Sequence, residues 1–262
     1  MKRLLLSMNS SGCPFGCTYC FADFDQYSGV PTLTDLDTDP SLLDDVDVLY
    51  PACDTDLFAA RHWKEHLASA CQLGRVISVS TKAPLSERTI DFLEECHAAL
   101  MEQGAFLKVS VSMSTRDRIP ELEPRTASYE ARLHVMAQLT ERSVPTSLVL
   151  KPLLADVPDA EYELILSEAR SHADLVLFGD EYLDSQSPRH IESNKRVGIT
   201  VDRVEWLPRT PRWLQRSIDG RIARLIRYAT SLGWRAYESD LSLLQTIRGT
   251  LTPSLATTMD AR

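Results

Sequence analysis

Cys13, Cys17 and Cys20 fall within the eight residues CPFGCTYC, so their three thiols must share one tight loop. A C-x3-C-x2-C loop can present three thiolates to three corners of a cubane iron–sulfur cluster and leave the fourth iron open. A structural zinc site takes four ligands, usually from paired C-x2-C sets, and the sequence has no partner pair. The other cysteines, Cys53, Cys71 and Cys96, also lie in the first 96 residues. A disulfide framework would be spread through a small secreted chain, so this clustering points to metal ligation in a reducing compartment. Gly16 allows the loop to fold closely, and Tyr19 is expected to pack beside the cluster.

Apolar strand patterns alternate with amphipathic helix patterns around that loop. Strands are predicted at Arg3–Met8, Val46–Tyr50, Arg75–Thr81, Phe106–Met113, Pro145–Leu150 and Asp174–Phe178. Helical spacing falls at Leu57–Gln72, Leu85–Gln103, Tyr129–Arg142 and Asp159–Ser171, and Gly74 and Gly104 are stop signals for the first two. Alternation at this pitch implies parallel strands joined by right-handed helical crossovers, hence an α/β fold. Six units are two short of a closed eight-fold barrel. The expectation is therefore a partial (β/α)6 TIM-like barrel over residues 1–182. A helical, less regular extension over 183–262 would include a long helix at Arg212–Leu232 and a polar tail from about Thr252, open to disorder. The cysteine loop directly follows the first strand. It should sit at the C-terminal mouth of the barrel, where βα loops build active sites.

The 262 residues carry a net charge of −9, whereas a protein that wraps a phosphate backbone usually shows a basic footprint. The stretch from Pro188 to Tyr228 runs against that average, with ten basic and four acidic residues. It reads as a solvated helix face or as a binding lobe for an anionic substrate. Trp206, Trp213, Tyr228 and, just beyond it, Trp234 interleave with arginines, a pattern that suits base stacking but equally a cap helix folded on the barrel. No stretch approaches the roughly 18 apolar residues of a membrane span. The opening apolar run is only Leu4–Leu6, with no cleavage site after it, so it is read as a strand and the protein as cytoplasmic.

C-x3-C-x2-C with an aromatic before its last cysteine resembles the signature of the radical S-adenosylmethionine (SAM) superfamily. The resemblance implies a [4Fe–4S] cluster on Cys13, Cys17 and Cys20, with SAM bound through its amino and carboxylate groups to the fourth iron. It also implies an electron donor such as flavodoxin or ferredoxin, and a 5′-deoxyadenosyl radical that abstracts a substrate hydrogen. A narrower resemblance covers residues 1–182. The pieces STK (Ser80–Lys82), VSVSMST (Val109–Thr115) and LEPRTASYEARL (Leu122–Leu133) are similar to the spore photoproduct lyase-like branch. The last third carries no such likeness.

By this resemblance, Lys82 would pair with the SAM carboxylate, Ser112 or Ser114 would bond the ribose hydroxyls, and Arg125 would contact SAM or brace the fourth loop. The alternatives are a solvated lysine, space-filling serines and a salt bridge at a helix start. Many relatives carry a Gly-Gly-Glu-like turn after the second strand, and here the turn reads Tyr50-Pro51-Ala52-Cys53-Asp54-Thr55-Asp56. Cys53 on that turn could give a hydrogen atom to a product radical, carry sulfur, ligate, or simply pack as a small hydrophobe. Cys71 and Cys96 read as packing residues of outer helices. Asp180 and Glu181, after the sixth strand, could bind substrate hydroxyls or move a proton, or else cap a helix or pair with a cation. The expected function is hydrogen abstraction from a small organic substrate (nucleoside-like, sugar or amino-acid-derived) in biosynthesis, without nucleic-acid or membrane partners. The second reading is a lyase that repairs a nucleic-acid lesion. The third is a non-enzymatic iron–sulfur protein, which would leave the strand-end Lys, Ser and Arg without a role.

Overall fold

A computed structural model of the chain describes residues 1–8, 12–20, 30–184, 200–203 and 213–259. The six predicted strands appear as β1 (Lys2–Leu5), β2 (Val46–Tyr50), β3 (Val76–Thr81), β4 (Leu107–Ser112), β5 (Thr146–Leu150) and β6 (Leu175–Phe178). Three further strands, β7 (Glu181–Asp184), β8 (Thr200–Arg203) and β9 (Trp213–Ser217), pair antiparallel in a small separate sheet. A last strand, β10 (Arg235–Tyr237), joins β6, so the main sheet holds seven parallel strands in the order β1-β2-β3-β4-β5-β6-β10. The sheet curls into a partial TIM-like barrel, as the alternation predicts.

The helices are α1 (Leu33–Thr38), α2 (Trp63–Cys71), α3 (Glu87–Glu102), α4 (Ile119–Leu122), α5 (Tyr129–Glu141), α6 (Asp159–Ala169), α7 (Arg221–Ser231) and α8 (Asp240–Met259). The segment 57–72 is not one helix: a 3-10 turn over Leu57–Ala59 precedes α2, and Asp56 caps that turn. Helix α3 shows how the crossovers are built. Ile90, Leu93, His97 and Leu100 recur at helical spacing and are buried, while Ser86 caps the start by accepting from Thr89 N at 3.3 Å. Replacing such a cap with Ala costs about 1 kcal/mol. His97 is a satisfied core histidine, whose Nδ1 accepts from Leu107 N at 3.3 Å.

The C-terminal part departs from expectation. The long helix expected over 212–232 is instead β9 followed by α7, separated at Gly220, whose φ is +66°. A residue with a side chain is strained there, so the break sits where the sequence offers a glycine. The backbone from Thr252 to Met259 is helical, part of α8. About half of the basic stretch, and Trp206, lie outside the described residues. Trp234 is buried, with Nε1 donating to Leu166 O at 3.0 Å, and its ring faces Arg170 at 5.6 Å. It packs rather than offering a stacking face. Among the described residues, no helix is long and apolar enough to cross a membrane.

Side chains alternate across the sheet. On β4, Leu107, Val109 and Val111 face one way, and Lys108, Ser110 and Ser112 the other; all six are buried. Parallel register places Lys108 beside Ser78 on β3, and Ser110 between Ser80 and Ser147. The inner face of the partial barrel is therefore a polar stripe, satisfied internally: Ser110 and Ser147 bond at 3.2 Å. Helix α8 begins over this stripe with Asp240 and reaches the start of β2, where Arg248 Nη1 lies 3.7 Å from Asp47 Oδ1.

Candidate active site

The turn after β2 fixes the exit of β1. Cys53 N donates to Leu6 O at 3.0 Å, and Asp54 accepts from Ser7 Oγ at 2.6 Å and Met8 N at 3.0 Å. Beyond that exit, Thr18 N donates to Leu122 O at 2.9 Å, tying the cysteine loop to α4. Gly16 has φ +60°, and a Cβ there would collide with the Arg125 guanidinium. Arg125 thus braces the cysteine loop from outside and does not line the cavity. That cavity, about 350 Å³, opens at the C-terminal ends of the strands. Cys13, Cys17, Cys20 and Cys53 all line it, with Lys82 and Ser112.

Lys82, one residue past β3, donates from Nζ to Ser112 Oγ at 2.8 Å and stands 5.7 Å from the Tyr19 ring centre. Beneath them lies Glu123, the acid of LEPR, which the sequence reading passed over in favour of its arginine. It is fully buried. Its carboxylate accepts from the Tyr19 hydroxyl, lies 2.5 Å from Arg132 Nη2 and 3.9 Å from Lys82 Nζ. Burial, then the negative charge of Glu123, pushes the Tyr19 phenol well up, so it stays a donor. One carboxylate therefore joins the cysteine loop, the strand-end lysine and the buried Arg132 of α5. Ser114 is wholly buried beside Tyr19 and does not reach the cavity, whereas Ser112 does.

Burial pushes the Cys17 thiol up to about 12, against the opposing charge of Lys82. Burial likewise pushes Cys53 up to about 12, with Asp54 adding to the effect, so Cys53 holds its proton at neutral pH. Next to it, Thr55 Oγ1 is buried and unpaired on the cavity wall. Asp56, fully desolvated and raised for that reason, accepts from Lys82 N at 2.7 Å and from the Thr81 hydroxyl at 3.0 Å. Cys71 and Cys96 are buried between α2 and α3, away from the cavity.

Asp180 and Glu181 part company. Asp180 lines the cavity, accepts from Gln215 Nε2 at 2.7 Å, and is raised by burial. Glu181 turns away to pair with Arg216 Nη2 at 2.6 Å, and burial lifts it to about 7. Two residues missing from the sequence reading complete the wall. Asp240 at the start of α8 accepts from Lys108 Nζ at 2.7 Å, Ser78 Oγ at 3.2 Å and the Tyr50 hydroxyl. Burial would raise it, but Lys108 and the two hydroxyls hold it below the usual carboxylate range. Lys151 follows β5 and faces the same space. Neither had a motif to announce it.

The residues present fit an iron–sulfur cluster and SAM. Three thiols of one loop share a cavity wall, and among the described residues no three His, Cys, Asp or Glu converge tightly enough to hold a single metal ion. A cubane does not ask for that convergence, since each thiolate binds its own iron. The unpaired Thr55 hydroxyl and the Lys82 ammonium offer the acceptor and cation that an amino-acid headgroup needs.

No family model matches the chain, and no curated protein is similar to it in sequence. Solved structures are similar in fold. Spore photoproduct lyase complexed with dinucleoside spore photoproduct aligns with a TM-score of 0.62 at 16% identity, over 87% of this chain and 73% of that one. A doubly substituted spore photoproduct lyase with bound AdoMet and the dinucleoside photoproduct gives 0.65 at 14% identity, over 90% and 81%. Streptococcus suis SuiB bound to S-adenosylmethionine gives 0.56 at 13% identity, over 90% of this chain and 49% of that one. At these identities the likeness is one of fold, and the chain shares its partial barrel with spore photoproduct lyase and with SuiB.

Proposed function

We propose that the chain is a radical SAM enzyme that abstracts a hydrogen atom from a small organic substrate. The observation that carries the reading is the convergence of Cys13, Cys17, Cys20, Lys82 and Ser112 on one cavity at the strand ends. When bound, the [4Fe–4S] cluster supplies the electron that cleaves SAM to methionine and a 5′-deoxyadenosyl radical. The three cysteines hold the cluster. Lys82, oriented by Ser112 and Glu123, pairs with the SAM carboxylate. Thr55 accepts from the SAM ammonium in place of the turn that many relatives use. Cys53 keeps its S–H at neutral pH and shares the cavity, which suits hydrogen return to a carbon radical better than thiolate chemistry. Asp180 holds a substrate hydroxyl or proton.

Anaerobic reconstitution tests this. The expected product is a protein with four irons and four sulfides per chain that forms 5′-deoxyadenosine from SAM on reduction. A Cys13→Ala, Cys17→Ala, Cys20→Ala variant that kept a full cluster would refute it. The likeness to spore photoproduct lyase supports a second reading, repair of a nucleic-acid lesion, and there Cys53 would serve equally well. Net charge −9 argues against it. Salt-sensitive, sub-micromolar binding of lesion-bearing DNA would reverse the order of the two.

A further inference from the structure

We propose that Asp56 is the positioning residue of the SAM headgroup: it fixes Lys82, which takes the carboxylate, against Thr55, which takes the ammonium. This rests on the reading of the cavity as a radical SAM site, and it adds a residue that acts on SAM only through its neighbours. Lys82 lies one residue past the ladder between β3 and β4, whose last pair is Thr81 with Val111. The ladder therefore does not hold its backbone. Asp56 does so from one side, with Oδ2 accepting from Lys82 N at 2.7 Å. From the other side, Ala127 N donates to Lys82 O at 2.9 Å. With both main-chain groups gripped, the lysine stem starts from one point and reaches Ser112 Oγ at 2.8 Å.

The same carboxylate shapes the turn after β2. Oδ1 accepts from Phe58 N at 3.1 Å, closing the 3-10 turn, and the Thr81 hydroxyl lies 3.0 Å from each oxygen. Thr81 Oγ1 also accepts from Ala83 N at 2.9 Å, which directs its own proton at Asp56. A carboxylate offers about four lone-pair sites, and two backbone N–H groups and the shared hydroxyl proton occupy them here. None is left for SAM. Thr55, the residue before it, is the opposite case: its Oγ1 is buried on the cavity wall with no partner. Asp56 is one peptide from Thr55 and one hydrogen bond from Lys82, so the two headgroup contacts share a single link between β2 and β3. In Asp56→Asn one oxygen becomes an amide NH2, which cannot accept from Lys82 N or from Phe58 N. One end of the link then opens with no change of volume.

The test is ligand binding by the reconstituted full chain with two probes: SAM, and 5′-methylthioadenosine, which has the nucleoside but no amino-acid headgroup. Asp56→Asn should weaken SAM about tenfold, the loss of one hydrogen bond to a charged group, and leave methylthioadenosine within about twofold of wild type. Lys82→Ala should lower SAM affinity too, and adding Asp56→Asn to it should lower it no more than about threefold further, because the lysine to be positioned has gone. Amide hydrogen exchange, resolved by fragmentation mass spectrometry, should be faster at Lys82 or Phe58 in Asp56→Asn and unchanged in β4 and β5. Thr81→Val removes the shared hydroxyl, should shift SAM affinity in the same direction, and serves if Asp56→Asn takes up no cluster. Equal losses for the two probes, or full additivity with Lys82→Ala, would overturn the proposal and leave Asp56 an ordinary core group. So would unchanged SAM affinity. A wild type that binds no SAM, with exchange at Lys82 or Phe58 still faster in Asp56→Asn, would keep the link and sink the radical SAM reading alone.

Discussion

Glu123→Gln should destabilise the chain well beyond an ordinary substitution, although it changes no volume. Glu123 and Arg132 are both wholly buried, 2.5 Å apart. The guanidinium also donates to Ala127 O and Ser112 O, each at 3.0 Å, and to the Thr126 hydroxyl. Those three acceptors are neutral, so they satisfy its N–H groups without balancing its charge. Breaking a buried pair from one side costs about 3–5 kcal/mol, because the remaining charge is stranded. Glutamine keeps one acceptor oxygen for Arg132 and can donate its amide to the Tyr19 hydroxyl, which places the expected loss near the low end, about 3 kcal/mol. Urea denaturation of the cluster-free protein at pH 7, followed by tryptophan fluorescence, measures it. Removing both charges in Glu123→Gln with Arg132→Met should recover much of the loss, with a coupling of about 2 kcal/mol. A loss under about 1 kcal/mol for Glu123→Gln, or strict additivity in the double variant, would refute the argument that this carboxylate is held by charge.

Lys82→Ala should weaken SAM binding about tenfold or more, read by equilibrium dialysis on the reconstituted protein, since a charge-assisted bond in a desolvated site exceeds a surface pair; unchanged affinity would remove Lys82 from the site. Cys53→Ala should still form 5′-deoxyadenosine but release less product per 5′-deoxyadenosine, with shunt products in its place; equal coupling in mutant and wild type would leave Cys53 a packing residue. Burial raises Glu181 from 4.5 to about 7, so the folded chain prefers its protonated form. That contribution is complete below about pH 4.5 and is lost as pH rises through about 7, a fall of at most roughly 3 kcal/mol in which the opposing effect of Arg216 is already counted. Glu181→Gln should flatten the stability profile across that window, and an unchanged slope in chemical denaturation would show that the carboxyl stays ionised throughout.

The main strands and the cysteine loop were legible because each has a local signal: β-branched alternation in RVISVST and FLKVSVSM, and close thiol spacing in CPFGCTYC. The seventh strand was not. Arg235–Tyr237 is three residues long, too short for a period to register, and only its pairing with β6 makes it a strand. Trp213–Ser217 was absorbed into the helix that follows because its apolar residues continue the helical spacing of Ile222, Leu225 and Ile226. Pairing on both sides with β7 and β8 decides it instead. The LEPR motif drew attention to the segment through Arg125, and the structure adds its acid, Glu123, to the wall beneath Lys82. Sequence alone cannot say that Arg125 lies outside against Gly16 while Glu123 points inward to Tyr19.

The residues that escaped notice share a cause. Hydrophobic periodicity locates the face of each strand that packs on helices, and it is silent about the other face. In a closed barrel that inner face is filled by branched apolar side chains. Here it carries Ser78, Lys108, Ser110, Ser112 and Ser147, and a helix start brings Asp240 from the far end of the chain to neutralise Lys108. A buried ion pair adds little stability over apolar packing of the same volume. It fixes Tyr50 and Ser78 at the cavity wall instead, through the same carboxylate. The polar stripe therefore serves the cavity above it. It holds the strand ends that carry Lys82, Ser112 and Lys151 in one arrangement.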